Sequence, residues 1–207
     1  MELAKDIVKD NKKILFLALG LLVMSTVGVF LLNQGFLGSG SEMVDTREYT
    51  QAEDVLTKGI DYKANIQTEY GDIEIDLYED EFPNAVNSFV FLSGEDFYDD
   101  LIFHKVIKDF VIQAGDQAGD GTGNPGYELE PDENSSEASE YSICMANASQ
   151  FFIIPQGADL TQLSGYPIIG EVISGFAVVD AIEKVSVDEN YKPINDITIN
   201  SVLIIEE

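Results

Sequence analysis

The chain has 207 residues, of which 45% are hydrophobic, so it is long enough for one globular domain with a substantial core plus an appendage. It carries 38 acidic side chains against 11 Lys and Arg, a formal net charge of -27, and such a surface argues against nucleic acid as a partner because it repels phosphate. The single Cys excludes an internal disulfide and a cysteine-based zinc site.

The first element in chain order is an uncharged run of 19 residues, 14–32, with the sequence ILFLALGLLVMSTVGVFLL. As a helix rising 1.5 Å per residue it nearly spans a hydrocarbon core of about 30 Å. Four lysines lie within residues 1–13, and no Lys or Arg follows the run until Arg47. The positive-inside rule therefore predicts a cytoplasmic N-terminus and an extracytoplasmic C-terminal domain. A cleaved signal peptide is the alternative, but its apolar run usually has about 7–15 residues, which favours a single-pass membrane anchor.

Residues 33–60 have the character of a linker. The stretch 33–41 contains five Gly and Ser residues and is typical of a flexible spacer. Thr50 and Glu53 have the spacing of a capping box, and Gly59 is a plausible helix stop. Together they predict a short helix from about 51 to 58.

The domain at 61–207 has a hydrophobic period of mostly two residues. Ile73, Ile75 and Leu77 alternate with acidic residues, which predicts a strand with one solvated face. The other expected strands lie near 63–68, 102–106, 110–115, 141–147, 150–154, 168–173 and 197–205. Apolar stripes at 83–93 and 175–184 predict two amphipathic helices. Eight short strands with two helices are typical of a mainly β protein, a barrel with capped ends.

Nine short motifs follow one another in order from about residue 66 to 205. They include YGDIEIDL at 70–77, FPNAVNSF at 82–89, IFHKVI at 102–107, DFVIQAGD at 109–116, GTGNPGY at 121–127 and QFFI at 150–153. In type and spacing these motifs resemble the cyclophilin family of peptidyl-prolyl cis-trans isomerases. The resemblance implies a closed eight-stranded antiparallel barrel with two helices. It also implies an isomerase without metal or cofactor that acts on proline-containing polypeptides, here outside the membrane.

The resemblance implies a catalytic role for Lys105, because the family places a donor, usually Arg, at this point of an F-H-R motif. Lys is not an equivalent of Arg, since it offers a compact ammonium group instead of a planar fork, and activity is expected to be reduced. The alternative interpretation of Lys105 is an ordinary exposed lysine on a strand edge.

The resemblance also implies a substrate-binding set. Its members are Phe110, Val111, Gln113, Ala146, Asn147, Gln150, Phe152, Leu163 and Tyr166. Taken alone, the apolar members are more typical of core residues, and Gln113 and Asn147 of groups that satisfy strand ends. Val111 stands where the family has a larger Met. Ala148 runs directly into Ser149, so a family loop at this point is either missing or replaced.

Two other patterns point away from chemistry. His104 is the only His and is interpreted as a packed structural residue, since bond rotation moves no proton. Asp116-x-x-x-Asp120-Gly121 has the look of a calcium loop but lacks the oxygen ligands that an EF-hand needs, so a turn is the better interpretation.

Three functions remain open at this point. The first is a membrane-anchored prolyl isomerase that assists the folding of exported proteins. The second is a catalytically weakened domain that binds proline segments as a chaperone or surface scaffold. The third is a structural ectodomain that packs against partner proteins, because a fold alone does not fix a function.

Overall fold

The computed structural model describes residues 49–134 and 137–207. The predicted cytoplasmic segment 1–13, the predicted membrane anchor 14–32 and the first part of the predicted linker lie outside these residues. Within the described residues, no helix has the length and apolarity needed to cross a membrane.

Eight strands and two α-helices make up the domain. The strands are β1 (Tyr62–Thr68), β2 (Gly71–Leu77), β3 (Lys105–Ile107), β4 (Val111–Ala114), β5 (Ser142–Met145), β6 (Phe151–Ile153), β7 (Ile168–Ser174) and β8 (Ile199–Glu206). The helices are α1 (Pro83–Gly94) and α2 (Phe176–Glu183), and a 3-10 turn spans Leu160–Gln162. The prediction of an antiparallel sheet of eight short strands with two helices is confirmed.

The strands form one curled antiparallel sheet in the order β3-β4-β6-β5-β7-β2-β1-β8. The prediction of a closed barrel is wrong, because the end strands β3 and β8 share no ladder and the barrel is half-closed. Its ends meet only through an isolated bridge between Ile102 and Thr198 and neighbouring backbone hydrogen bonds. The reason lies at the outer edge of β3, the edge not paired with β4, where the Val106 N–H donates to the Tyr191 carbonyl at 2.8 Å. A loop therefore occupies the edge that β8 would need.

The core lies inside the curl of the sheet. On β2, Ile73 and Ile75 are fully buried while Asp72 and Glu74 are exposed, as the alternating pattern predicts. Helix α1 buries Val86 and most of its neighbours, and Pro83 occupies its first turn, where the missing N–H costs nothing. Burial of these apolar side chains, at about 25 cal/mol per Å², is the main stabilising contribution.

The predicted helix at 51–58 is not formed: residues 52–57 have no regular secondary structure, and a turn follows at residues 58 and 59. Instead the segment is fastened to α1 by one side chain. The Asn87 Oδ1 accepts the Val55 N–H at 2.9 Å and the Leu56 N–H at 3.4 Å, and the Asn87 amide donates to the Glu53 carbonyl at 2.9 Å. These long-range bonds satisfy the backbone groups that a short helix would have paired internally, and so override the local capping pattern.

Candidate functional site

The candidate site lies on the face of β3, β4 and β6 that is turned away from the core. Lys105 pairs in register with Gln113, and Gln113 with Phe152. Cross-strand partners share a face of the sheet, so these three side chains stand side by side. Their neighbours Val106 and Ile112 are buried on the opposite, core face. The sheet therefore brings together the predicted donor, one polar contact and the central apolar residue.

The Lys105 ammonium group is free within the described part of the chain. It is half-buried, and no described residue forms an ion pair or a hydrogen bond with its Nζ. A free cation beside an apolar surface keeps its donors available for a ligand. The geometry therefore leaves Lys105 able to donate to an acceptor held against Phe152.

The apolar part of the site combines β-strand and loop residues. Phe152, Val111 and Leu163 are buried, with 3%, 4% and 4% of their surface exposed, and Phe110 is half-buried. Tyr166 is 41% exposed and packs edge-to-face on Phe152, with ring centroids 5.1 Å apart and an interplanar angle of 88°. Such an aromatic pair forms a rigid wall against which a small apolar ring can pack.

The polar part is a chain of amide groups that begins at Gln113. The Gln113 Nε2 donates to the Gln150 Oε1 at 2.8 Å, and the Gln150 Nε2 donates to the carbonyls of Gly123, at 2.7 Å, and Gly121, at 3.2 Å. Gln150 is only 2% exposed, and its side chain connects β4 to the glycine-rich loop at residues 121–126 through these hydrogen bonds. The Gln150 amide, whose oxygen and nitrogen are both hydrogen-bonded, therefore holds a fixed orientation.

Ala146 and Asn147 lie in a compact turn that joins β5 to β6. The Ala146 N–H donates to the Gln150 carbonyl at 2.8 Å, and Ala146 is exposed. The Asn147 Oδ1 accepts the N–H groups of Ser149 and Gln150, and its Nδ2 donates to the Gly123 carbonyl. The Asn147 side chain thus uses its oxygen within the turn and its nitrogen to hold Gly123, which agrees with the strand-end interpretation. The shortness of this turn agrees with the sequence, in which Ala148 is followed directly by Ser149 where the family has a longer loop.

Two further groups support the site, Ser88, which was not singled out from the sequence, and Asp116, which was interpreted as part of a turn. Ser88 on α1 is buried, and its hydroxyl donates to the Ala148 carbonyl at 2.7 Å and lies 2.8 Å from the Tyr127 hydroxyl. Asp116 is 1% exposed, and its carboxylate accepts the N–H groups of four residues, Ala118, Asp120, Gly121 and Gly123. Asp116 therefore organises a turn, in line with the preference for a turn over a calcium loop.

His104 and Cys144 are neighbours of site residues, His104 next to Lys105 and Cys144 across from Phe152, but both are buried. Burial lowers the pKa of His104, and neither ring nitrogen has a hydrogen-bond partner among the described residues. Cys144 pairs in register with Phe152, is fully buried, and burial raises its pKa to about 12. The lowered pKa makes the His104 imidazole a weaker base, and the raised pKa makes the Cys144 thiol a poor nucleophile at neutral pH. In the described residues no three His, Cys, Asp or Glu side chains are grouped to hold a metal ion.

A separate cavity of about 830 Å³ lies between residues 50–56, the start of α1 and residues 126–130. Its lining includes the carboxylates of Asp54, Glu128 and Glu130, and none of the predicted site residues. Tyr127 is the one aromatic residue in its lining, so it has no aromatic pair like that of Phe152 and Tyr166.

A half-closed antiparallel barrel of eight strands with two helices, and with a Lys, a Gln and a Phe aligned on its outer face, defines a cyclophilin-like protein. The comparisons with known proteins agree. Residues 63–204 match the family described as cyclophilin type peptidyl-prolyl cis-trans isomerase. The chain therefore belongs to this family.

Individual relatives show the same domain in different settings. The chain is 41% identical over 152 residues to a peptidyl-prolyl cis-trans isomerase of Rhizopus delemar, which covers 67% of this chain but only 24% of that protein. It is 35% identical over 150 residues to peptidyl-prolyl cis-trans isomerase 10 of Caenorhabditis elegans, covering 67% of this chain and 92% of the relative.

Solved structures give the same result. A cyclophilin type isomerase of Cryptosporidium parvum superposes with a TM-score of 0.65 at 32% sequence identity, covering 71% of this chain and 99% of that one. The same protein in the presence of the dipeptide Ala-Pro gives a TM-score of 0.64 at 34% identity, with 70% and 99% covered.

Proposed function

We propose that the chain is a peptidyl-prolyl cis-trans isomerase that binds proline-containing polypeptides on the face of β3, β4 and β6. The observation that carries the proposal is the alignment of a free Lys105 ammonium group with Gln113 and Phe152. Family membership and the Ala-Pro dipeptide named with a solved relative support it.

The chemistry requires a donor and an apolar pocket. Rotation about an X–Pro bond is slow because the amide is partly double-bonded, with a barrier of about 18–20 kcal/mol. In the twisted transition state the proline nitrogen loses conjugation and becomes an acceptor. A fixed donor stabilises that state more than the planar ground state, which lowers the barrier.

In this proposal Phe152 and Tyr166 hold the proline ring, and Gln113 holds the flanking backbone. Lys105 donates to the proline nitrogen as it pyramidalises. One such donor contributes about 2–4 kcal/mol to transition-state stabilisation. Lys presents one point charge with no fork, so it is less preorganised than Arg, and we propose that turnover is slower for this reason.

A second candidate is a proline-peptide binder with little turnover. It is favoured by Lys105 in place of the family Arg and by the compact turn at Ala146 and Asn147, which removes one wall from the site. Such a domain would act as a chaperone or scaffold, because binding of the planar ground state needs no transition-state donor.

The experiment compares catalysed exchange of an Ala-Pro peptide by the whole chain and by two variants, Lys105→Ala and Lys105→Arg. The proposal expects wild-type activity that falls at least about 30-fold in Lys105→Ala and is kept or raised in Lys105→Arg. Activity gained only in Lys105→Arg favours the binder. No exchange from any of the three, with no peptide binding, contradicts both candidates.

We further propose that residues 14–32 anchor the chain in a membrane and that the domain lies outside, where it acts on exported polypeptides. Support comes from the uncharged run and from the four preceding lysines. Protease added to intact cells should degrade the domain if it lies outside. Full protection that is lost only on lysis would contradict this topology, and recovery in the soluble fraction would contradict the anchor.

A further inference from the structure

The turn between β3 and β4 contains a residue in an unfavourable backbone conformation. Asp109 has φ of 57°, in the left-handed region that a non-glycine residue rarely adopts. It lies in a tight turn closed by the Phe110 N–H, which donates to the Ile107 carbonyl at 3.1 Å. Such a conformation persists only where the surrounding structure fixes it.

Both backbone polar groups of Asp109 are held by segments that are remote in the chain. Its N–H donates to the Glu183 Oε1 at 2.8 Å, from the last residue of α2. Its carbonyl accepts the Asp159 N–H at 3.1 Å, from the segment that leads into the 3-10 turn. Glu183 is only 6% exposed, and a buried carboxylate is costly unless it is hydrogen-bonded.

The two segments joined at Asp109 carry two walls of the apolar pocket. Phe110 follows Asp109 directly, and Leu163 ends the 3-10 turn that Asp159 begins. The hydrogen bonds at Asp109 therefore connect the backbone next to Phe110 with the turn that ends at Leu163. A displacement of the wall by a fraction of an ångström is enough to weaken binding of a small rigid ring.

We propose that Glu183 is a positioning residue for the substrate pocket. Its carboxylate holds the Asp109 turn and thereby places Phe110 opposite Leu163. This inference rests on the proposed isomerase function. It assigns Glu183 no contact with the substrate, since it acts through the backbone of Asp109.

The test compares Glu183→Ala with Glu183→Gln in the whole chain, with KM and kcat for an Ala-Pro peptide measured separately. Because the pocket holds the proline ring in both the ground and the transition state, its distortion should raise KM and leave kcat nearly unchanged. Glu183→Ala should raise KM about 10-fold, because the Asp109 turn then loses the charge-assisted hydrogen bond that fixes it. Glu183→Gln keeps an acceptor oxygen, so its KM should stay within about twofold of wild type.

The matched control is Asp180→Asn, a carboxylate on the same helix whose Oδ1 accepts the Tyr141 hydroxyl at 3.2 Å. This variant changes the charge of α2 without touching the Asp109 turn, so KM should not change. Amide hydrogen exchange gives an independent readout, because Asp109 should exchange faster in Glu183→Ala only.

A second pair of variants tests the other hydrogen bond of the turn, the one between the Asp159 N–H and the Asp109 carbonyl. It provides an independent test if Glu183→Ala does not fold. Asp159 has φ of -78°, which proline tolerates, so Asp159→Pro removes the N–H that binds the Asp109 carbonyl. Asp159→Ala removes the side-chain cap but keeps that N–H. A KM higher for Asp159→Pro than for Asp159→Ala supports the proposal.

The outcomes separate this inference from the proposed function. A wild-type chain without exchange activity refutes the function itself, whatever Glu183 does. An active wild type with equal KM in Glu183→Ala and Glu183→Gln, or in the two Asp159 variants, overturns the positioning role. A drop in thermal stability with unchanged KM assigns Glu183 to folding alone and also overturns it.

Discussion

Replacing Asp116 by Asn should loosen the loop that supports the candidate site. The buried Asp116 carboxylate accepts four backbone N–H groups, two at each oxygen. The amide of Asn keeps one acceptor oxygen and turns a donor group toward the other two N–H groups. Gly123 sits so close to the Asp116 Oδ1 that a Cβ at that position would overlap with it, so the loop cannot shift inward to compensate.

The magnitude follows from the number of bonds lost. Two charge-assisted hydrogen bonds are removed, each worth about 1.5–3 kcal/mol. Asp120 and Gly121 are exposed residues, so we expect water to replace part of the loss. We therefore expect Asp116→Asn to lower the free energy of unfolding by about 3 kcal/mol.

Urea unfolding followed by circular dichroism measures this change. The loop carbonyls of Gly121 and Gly123 hold Gln150, so kcat/KM for a proline peptide should also fall, by about 10-fold. Asp120→Asn is the matched control, because Asp120 is exposed and its Oδ1 accepts only from Thr122 among the described residues. Equal unfolding free energies for Asp116→Asn and wild type would refute the assigned role of the carboxylate.

Two further predictions follow from buried titratable groups. Burial lowers the pKa of His104 below its ordinary value of 6.5, so the unfolded chain binds a proton that the folded chain does not. Its contribution to stability is therefore complete above about pH 6.5 and is lost as pH falls below that value. His104→Gln should reduce the slope of the unfolding free energy against pH between about pH 5 and 7. An unchanged slope would contradict the burial effect. The Cys144 thiol, with its pKa raised to about 12, should react with a disulfide reagent at pH 8 only in urea, and rapid reaction of the folded chain would show that it is accessible.

Most of the fold was predictable because strand periodicity is a local property. Ile73, Ile75 and Leu77 alternate with acids in the sequence and face the core in the structure. Pro83 marks the start of α1 for an equally local reason. Neither inference needs knowledge of what packs against the element.

The remaining features depend on partners that are distant in the chain. The first turn of α1 is capped by the Asp132 carboxylate, which accepts the Asn84 and Ala85 N–H groups from 48 and 47 residues away. Asn87 overrides the local helix pattern at 51–58 in the same way. The half-closure of the barrel depends on the loop at Tyr191, and nothing in the sequence of β3 reveals that occupant.

In the candidate site, too, some features could be predicted from local sequence and others depend on residues that are distant in the chain. The residue types at Lys105, Gln113 and Phe152 come from motifs, and the register then aligns them on one face. Their roles as donor and binding residues stay predictions. The supporting contacts made by Ser88 and Glu183 join segments far apart in sequence, so no local pattern points to them. The role of Asp116 was predictable from the glycine-rich sequence that follows it, since an Asp before such a loop is typical of a turn.

The most direct test of the account is one NMR experiment that observes the peptide and the protein together. Ala-Pro peptide is added to the labelled whole chain, and cis–trans exchange is measured while amide shifts are mapped. The proposed function requires exchange far faster than the uncatalysed tens of seconds, with shifts centred on Lys105, Gln113 and Phe152. Uncatalysed exchange, or shifts confined to the cavity beside α1, would contradict it.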